Sequence, residues 1–216
     1  MSKMNLEFYK LSVEVAACSQ LTSAEKLIAA YVFTLFDNQR AFYGSNSLVS
    51  EKLSIGKSLV SRCLSKMQSL GWISITNPKS RHRVISQEAN PNKSGHFYRL
   101  YTPIAASKLS PTDKLLLTYI LSYTDNGKRF YATNTQIALA LGISKEAVNQ
   151  SRHKFQDLGW ILVIFPKSSR RELVVIKHPA QNMEVLILEE ASRNMEVDHP
   201  DTWSNLPDSW KNLPQT

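Results

Sequence analysis

The chain has 216 residues, enough for one large domain or two small ones, and its 43% apolar content is ordinary for a folded protein. No stretch approaches the roughly 18 apolar residues that a membrane span needs, and the first residues lack the apolar block of a secretory signal. The two cysteines, Cys18 and Cys63, lie far apart without a Cys-x-x-Cys pattern, which favours a reduced cytosol and argues against structural zinc.

The charge is unevenly distributed along the chain. The net charge is +8 and the sequence pI is about 9.5. Residues 180–216 are acidic, with Arg193 and Lys211 as their only basic side chains, so the body of the chain is more basic than the total shows. A basic body with an acidic tail indicates a polyanionic partner, or else a merely soluble basic protein.

An internal repeat sets the organisation of the chain. Residues 21–75 and 109–163 align without a gap at an offset of 88 residues. The run Leu-Gly-Trp-Ile at 70–73 recurs at 158–161, and an extended segment, 8–11 or 97–100, precedes each copy. We therefore predict two copies of one domain, because two repeats are too few to stack as a solenoid.

Each copy begins with a long predicted helix. Thr22 and Ser110 occupy N-cap positions, with Glu25 and Asp113 three residues later and Pro111 at a first helical position. Apolar residues at helical spacing follow, and Asp-Asn pairs at 37–38 and 125–126 mark the helix ends.

Two shorter helices and a pair of strands complete each copy. Short helices are predicted from Ser47 to Leu53 and from Thr135 to Leu141. After tight turns, third helices are predicted over 57–70 and 145–158. Glycines at 71 and 159 would end them, and the Trp-Ile runs that follow are typical of strands.

This order of elements is that of a winged helix-turn-helix. The run Gly142-Ile143-Ser144-Lys145, then Val148 and the second Leu-Gly-Trp-Ile, is similar to bacterial helix-turn-helix families of plasmid, phage and regulatory proteins. The tandem arrangement resembles plasmid replication initiators with two winged-helix domains, and the resemblance covers about residues 20–178. It implies a mainly α fold with small β wings (α+β): a first winged domain at 1–100, a second at 101–178 and a tail at 179–216.

The resemblance implies a sequence-specific protein that binds double-stranded DNA. Three readings stay open: a transcriptional repressor of a bacterial mobile element or phage, a plasmid or phage replication initiator bound to origin repeats, and an interaction scaffold that binds proteins. The chain shows no Gly-rich phosphate loop, no nucleophile motif and no His and carboxylate cluster, so we expect neither an enzyme, a cofactor nor a metal site. The expected location is the cytoplasm, at the nucleoid.

In a helix-turn-helix the third helix lies in the major groove, with its first turns against base edges. The resemblance places the contacts of the second copy at Ser144, Lys145, Glu146, Asn149 and Gln150, and helical spacing also turns Lys145, Glu146 and Asn149 outward. The equivalents in the first copy are Lys57, Ser58, Ser61 and Arg62. Asn and Gln can read adenine bidentately, Glu can accept from cytosine, and Arg is the commonest reader of guanine. Since the two sets differ, one chain should prefer an asymmetric site, whereas dimerisation would add symmetry.

Two residues depart from the repeat. Gly56 occupies the position at which the second copy has the N-cap Ser144. This substitution lowers the stability of the third helix of the first copy by a few tenths to about 1 kcal/mol. Arg152 replaces Leu64 at a position expected to be apolar. We expect it either at a domain interface or reaching a phosphate along its aliphatic stem.

The predicted wings are basic. They carry Lys79, Arg81 and Arg83, beside His82, in the first copy, and Lys167, Arg170 and Arg171 in the second. Such hairpin tips suit contacts to phosphates or to the minor groove, although solvated turns also favour charge.

The tail contains a short repeat of its own. Trp203-Ser-Asn-Leu206-Pro recurs seven residues later as Trp210-Lys-Asn-Leu213-Pro. Exposed Trp and Leu in an acidic segment could dock on a protein partner, fold back on the protein itself, or mimic DNA as a brake.

The basic second wing generates a test with DNA of different sequences. Replacing Arg170 and Arg171 together by Ala should weaken binding to all duplexes about equally, because phosphate contacts carry no sequence information. The slope of the logarithm of affinity against the logarithm of salt concentration should become shallower by about 1 for each lost contact. Titrations over a series of salt concentrations measure both effects, and an unchanged slope would contradict the assignment.

Overall fold

The computed structural model of the protein describes residues 7–38, 41–78, 83–124, 130–164 and 172–175, which form a mixture of helices and small sheets. The helices are α1 (Val13–Ala17), α2 (Ser23–Asn38), α3 (Asn46–Leu53), α4 (Lys57–Ser69), α5 (Thr102–Ala106), α6 (Pro111–Thr124), α7 (Asn134–Leu141) and α8 (Lys145–Asp157). The strands are β1 (Phe8–Ser12), β2 (Ala41–Phe42), β3 (Ile73–Thr76), β4 (Val84–Gln87), β5 (Phe97–Tyr101), β6 (Ile161–Ile164) and β7 (Glu172–Val175). Predicted wing residues 79 and 81, wing residues 167, 170 and 171, and the whole tail lie outside the described residues.

The long helices begin where their caps were predicted. The Glu25 carboxylate accepts from the backbone N–H of Thr22 at 2.7 Å, and the Thr22 hydroxyl accepts from the backbone N–H of Glu25 at 3.4 Å. This reciprocal pair satisfies two of the donors that the start of a helix leaves open. At α6 the Ser110 hydroxyl accepts from the backbone N–H of Asp113 at 3.1 Å.

The short helices begin one residue earlier than predicted. Their N-caps are Ser45 and Thr133, whose hydroxyls accept from the backbone N–H groups of Leu48 and Gln136. Gln136 also accepts from the backbone N–H of Thr133 at 2.8 Å, which completes a capping box. The starts predicted at Ser47 and Thr135 were therefore displaced, because the side chains two residues upstream cap these helices instead.

A left-handed residue separates each short helix from the helix that follows. Ser54 (φ 49°) ends α3 and Gly142 (φ 53°) ends α7. The Ser144 hydroxyl caps α8 by accepting from the backbone N–H of Ala147 at 3.1 Å, whereas Gly56 offers α4 no side-chain cap. The predicted asymmetry between these two helix starts is confirmed.

Two small antiparallel sheets follow the third helices. Strand β4 pairs with β3 on one side and with β2 on the other, and β6 pairs with β7. Strand β2 was not predicted, since two residues are too few to show an alternating pattern. The apolar faces of helices and strands meet in a core that includes Leu27, Val49, Leu53, Val60, Met67, Ile73 and Ile85, and Leu116, Ile137, Leu141, Val148, Phe155 and Trp160.

The extended segments ahead of the two copies pair with each other. Strands β1 and β5 are antiparallel, and Lys10 lies opposite Arg99, its own counterpart in the repeat. Helices α2 and α6 also contact each other, and the Ser23 and Thr112 hydroxyls lie 3.0 Å apart at their first turns. The division predicted at residue 100 falls inside β5, and residues 1–183 form one compact unit.

A buried lysine from each copy reaches the turn of the other copy. Lys26 donates to the carbonyls of Leu141 (2.6 Å) and Gly142 (3.2 Å), and Lys114 donates to those of Leu53 (2.7 Å) and Ala105 (2.8 Å). Both lysines are almost fully buried, at 0% and 1% exposure. Burying an ammonium is costly unless it is hydrogen-bonded, and carbonyls at the ends of helices carry partial negative charge.

The short helices α1 and α5 complete a reciprocal arrangement. Helix α1, ahead of the first copy, packs against α7 of the second, and α5, ahead of the second copy, packs against α3 of the first. Together with the strand pair and the lysines, these contacts relate the two copies by an approximate two-fold rotation. The axis passes near Lys10 and Arg99, where equivalent residues face each other.

The close approach at Gly142 can be tested against Gly159. Both residues have positive φ (53° and 65°), so Ala at either position meets the same backbone penalty of about 1–2 kcal/mol. A Cβ at Gly142 would lie 2.8 Å from the Ala17 carbonyl oxygen and 2.8 Å from the Lys26 Nζ, whereas Gly159 faces open space. Gly142→Ala should therefore cost about 1–3 kcal/mol more free energy of unfolding than Gly159→Ala. Equal losses in urea denaturation would contradict this packing.

The buried lysine also predicts a pH dependence. Burial lowers the pKa of Lys114 to about 8, so the unfolded chain binds this proton more tightly. The contribution of Lys114 to the free energy of unfolding should therefore increase by about 2 kcal/mol as the pH rises from about 8 to 10, and stay flat below that.

The measurement compares the protein with Lys114→Met by urea denaturation across this pH range. Burial raises the pKa of Cys63 to about 12, which lowers stability as the pH rises above the usual thiol range. Both proteins share that contribution, so it cancels in their difference. A difference in free energy that does not change with pH would contradict the prediction.

Candidate nucleic-acid interface

Helix α4 buries one face and exposes the other. Its inward side chains are Val60, Cys63, Leu64 and Met67. The predicted contact residues Lys57, Ser58, Ser61 and Arg62 are all exposed. The structure therefore places all four on one open surface at the first turns of the helix.

Helix α8 has the same orientation, with one exception. The predicted residues Ser144, Lys145, Glu146 and Gln150 are exposed, while Val148 and Phe155 are buried. Asn149 is only half-buried and is hydrogen-bonded within the protein. It does not extend freely outward as helical spacing alone predicted.

Two equivalent ion pairs tie these helices to the long helices. Lys66 of α4 lies 2.9 Å from the carboxylate of Glu25, and Lys154 of α8 lies 3.3 Å from that of Asp113. Burial alone would raise the pKa of Glu25, but hydrogen bonds from Thr22 and Lys66 outweigh it and hold the pKa below its usual value. The Glu25 carboxylate thus both caps α2 and orients α4.

Arg152 lies on the buried side of α8. It is 9% exposed and donates to the side-chain oxygens of Asn149 (2.8 Å) and Asn134 (3.3 Å). Of the two roles expected for it, an interface between domains or a phosphate contact, neither matches these hydrogen bonds, which lie within the second copy. A guanidinium has five donors and no acceptor, so two amide oxygens are suitable partners for it.

Arg83 lies at the end of the hairpin loop, directly before β4, and its guanidinium is hydrogen-bonded within the protein. It donates to the Asn46 side chain (2.8 Å) and to the Gly44 carbonyl (2.6 Å), and it is half-buried. It therefore ties the loop end of the β3–β4 hairpin to the start of α3. The contacts it makes inside the protein compete with the predicted contact to DNA.

Two exposed tyrosines were missed as candidates. Tyr43 and Tyr131 occupy equivalent positions, two residues ahead of the caps of α3 and α7, and are 68% and 59% exposed. Their identity across the repeat, in a Phe-Tyr pair that precedes each short helix, was the available signal. Aromatic rings with a polar tip at this place can contact a sugar–phosphate backbone.

The geometry defines a class of structure. A short helix, a turn through one left-handed residue, and a longer helix with an exposed first turn form a helix-turn-helix. Residues 107–161 match the family model described as helix-turn-helix domain, so this part of the chain is such a domain and DNA is its expected partner. Neither a curated protein nor a solved structure matches the chain.

The described residues also give two general findings. None of the helices in the described part of the chain has both the length and the apolar character needed to cross a lipid bilayer. Within the same residues, no three His, Cys, Asp or Glu side chains are grouped as a metal ion would require.

Proposed function

We propose that the protein is a sequence-specific double-stranded DNA-binding protein that acts as a transcriptional repressor. The observation that carries this proposal is the exposed first turn of α8, within residues that match a helix-turn-helix domain. In such domains this turn contacts base edges in the major groove.

The first copy contains a second helix that is suited to contact bases. Helix α4 follows the same kind of turn as α8, and its exposed start carries Lys57 and Arg62. We propose that both copies are winged helix-turn-helix units, with the β3–β4 and β6–β7 hairpins as wings beside the DNA backbone. A basic body of this kind is attracted to any duplex, and the two helices supply the sequence preference.

The two-fold relation between the copies gives the expected arrangement of the site. Rotation by 180° reverses α8 with respect to α4, so on one duplex the two half-sites should be inverted. Because the exposed residues of the two helices differ, the half-sites should also differ in sequence. Their centres should lie about one helical turn apart, or a multiple of it. A protein covering both half-sites within a promoter would exclude other proteins, which is the basis of repression.

Selection of bound duplexes from random DNA, followed by footprinting, tests this function with the full chain. We expect a single site with two unlike, inverted elements, and in the genome of origin a site overlapping a promoter. Iterated direct repeats beside the gene would favour a replication initiator instead. Failure to retain any duplex at low ionic strength would reject DNA binding altogether.

A pair of variants on α4 tests the first half-site. Replacing Lys57 and Arg62 by Ala should weaken binding to the selected duplex by roughly 10- to 100-fold and relax its preference in one half-site only. Gln68→Ala is the matched control, because Gln68 is exposed on the same helix but three turns further along. Equal effects of the two changes in fluorescence titrations would contradict the assignment.

A further inference from the structure

Three polar side chains of the second copy form a closed hydrogen-bonded ring. Arg152 donates from Nη2 to the Oδ1 of Asn149 at 2.8 Å and from Nη1 to the Oδ1 of Asn134 at 3.3 Å. The Nδ2 of Asn134 donates to the Oδ1 of Asn149 at 3.3 Å. The ring joins the start of α7 to the second turn of α8.

The ring fixes which end of the Asn149 amide turns inward. A guanidinium can only donate, so the atom of Asn149 that faces Arg152 must be the oxygen. The same argument orients Asn134, whose oxygen faces Arg152 and whose amino group therefore faces Asn149. A carbonyl oxygen has two lone pairs, and these two donors use both. Only the amino group of Asn149, with its two N–H donors, is left for a ligand.

That restriction bears on which base the helix can read. Bidentate reading of adenine needs the amide oxygen to accept from the adenine N6 amino group while the amide nitrogen donates to N7. Guanine instead presents two acceptors, O6 and N7, and needs donors alone. Because its oxygen already accepts two hydrogen bonds, Asn149 can donate to guanine but cannot accept from the N6 amino group of adenine.

We propose that Arg152 is a positioning residue that holds the Asn149 amide with its oxygen turned inward, so that α8 selects guanine at the base pair facing Asn149. This inference rests on the proposed function, because it requires α8 to lie in the major groove. It replaces the adenine preference that the residue type alone predicts.

The first copy supplies a natural comparison. The positions equivalent to Asn134, Asn149 and Arg152 are Asn46, Ser61 and Leu64. There Leu64 packs in the core, Ser61 is exposed, and Asn46 accepts from Arg83 instead. Leu is therefore a side chain that this fold accommodates at the position of Arg152, which makes Arg152→Leu a suitable variant.

The experiment is selection of bound duplexes by the full chain and by three variants. Asn149→Ala should remove the base preference at one base pair and thereby identify the contacted position. The parent should prefer guanine there. Arg152→Leu frees the Asn149 amide to rotate, and the preference should shift from guanine to adenine by about 10-fold or more. Asp157→Ala, at an exposed position at the other end of α8 and outside both the ring and the predicted contacts, should leave the preference at that base pair unchanged.

Several outcomes would overturn the inference. These are a parent that prefers adenine at that position, an Arg152→Leu variant with the parent's preference, and an Asn149→Ala variant that loses no preference. The Arg152→Leu variant could also lose all base preference at that position and melt at a lower temperature. That result would show that Arg152 has only a structural role, and it would reject the proposal.

A second measurement needs no DNA. In the free protein the side-chain N–H groups of Arg152 and the Asn134 amino group, which are the donors of the ring, should give protected, slowly exchanging NMR signals. Arg152→Leu should abolish the protection at Asn134, because it removes the partner that orients this amide. If these signals are protected from exchange while no duplex is retained, the proposed function fails but the hydrogen-bonded ring is confirmed. If duplexes are bound selectively but the N–H groups of Asn134 and Arg152 are unprotected, the inference fails and the proposed function stands.

Discussion

The structure depends on two buried lysines, Lys26 and Lys114, each of which donates a hydrogen bond to the other copy of the repeat. Each belongs to the long helix of one copy and donates to carbonyls at the end of the short helix in the other. Lys26 has both of its acceptors in the other copy, and Lys114 has one of its two there, since it also donates to Ala105 of α5. Removing the other copy would therefore leave each buried charge with fewer hydrogen bonds. Since α8 begins three residues after Gly142, whose carbonyl accepts from Lys26, the same contact also anchors the turn that leads into α8.

The copies keep their framework and differ on their outer faces. The ion pairs Lys66–Glu25 and Lys154–Asp113 occupy equivalent positions, as do the two crossing lysines. At Asn46 and Asn134, by contrast, the same amide holds an arginine from a hairpin in one copy and from the third helix in the other. One framework thus presents two different polar surfaces, as a protein that reads unlike half-sites would require.

Local patterns in the sequence predicted most elements, while contacts between distant residues stayed hidden. Caps at Thr22 and Ser110, the turn at Gly142 and the exposed faces of the third helices all follow from short-range spacing. Strand pairing between residues 8–12 and 97–101 has no local signal, because each segment is compatible with many partners. The buried lysines were visible only as an identity at positions 26 and 114.

The side-chain hydrogen bonds were the least predictable part of the site. Helical spacing predicted that Asn149 faces outward. It cannot show that an arginine three residues later donates a hydrogen bond to the amide oxygen of Asn149. Arg83 was assigned to a wing by its charge, and the structure shows in addition that it bonds to Gly44 and Asn46 within the protein. In both cases the residue type was informative, and its partner could be found only in three dimensions.

The crossed lysines have a consequence for synthesis on the ribosome. Lys26 and its acceptor Leu141 are separated by 115 residues. At elongation rates of about 5–20 residues per second, the interval between their appearances is about 6–20 s. During that time the nascent first copy carries an ammonium without its final acceptors and a strand, β1, with an open edge. The first half of the polypeptide therefore cannot reach its final packing until the second half has emerged. A ribosome that stalls between them would leave an aggregation-prone fragment that chaperones would have to bind.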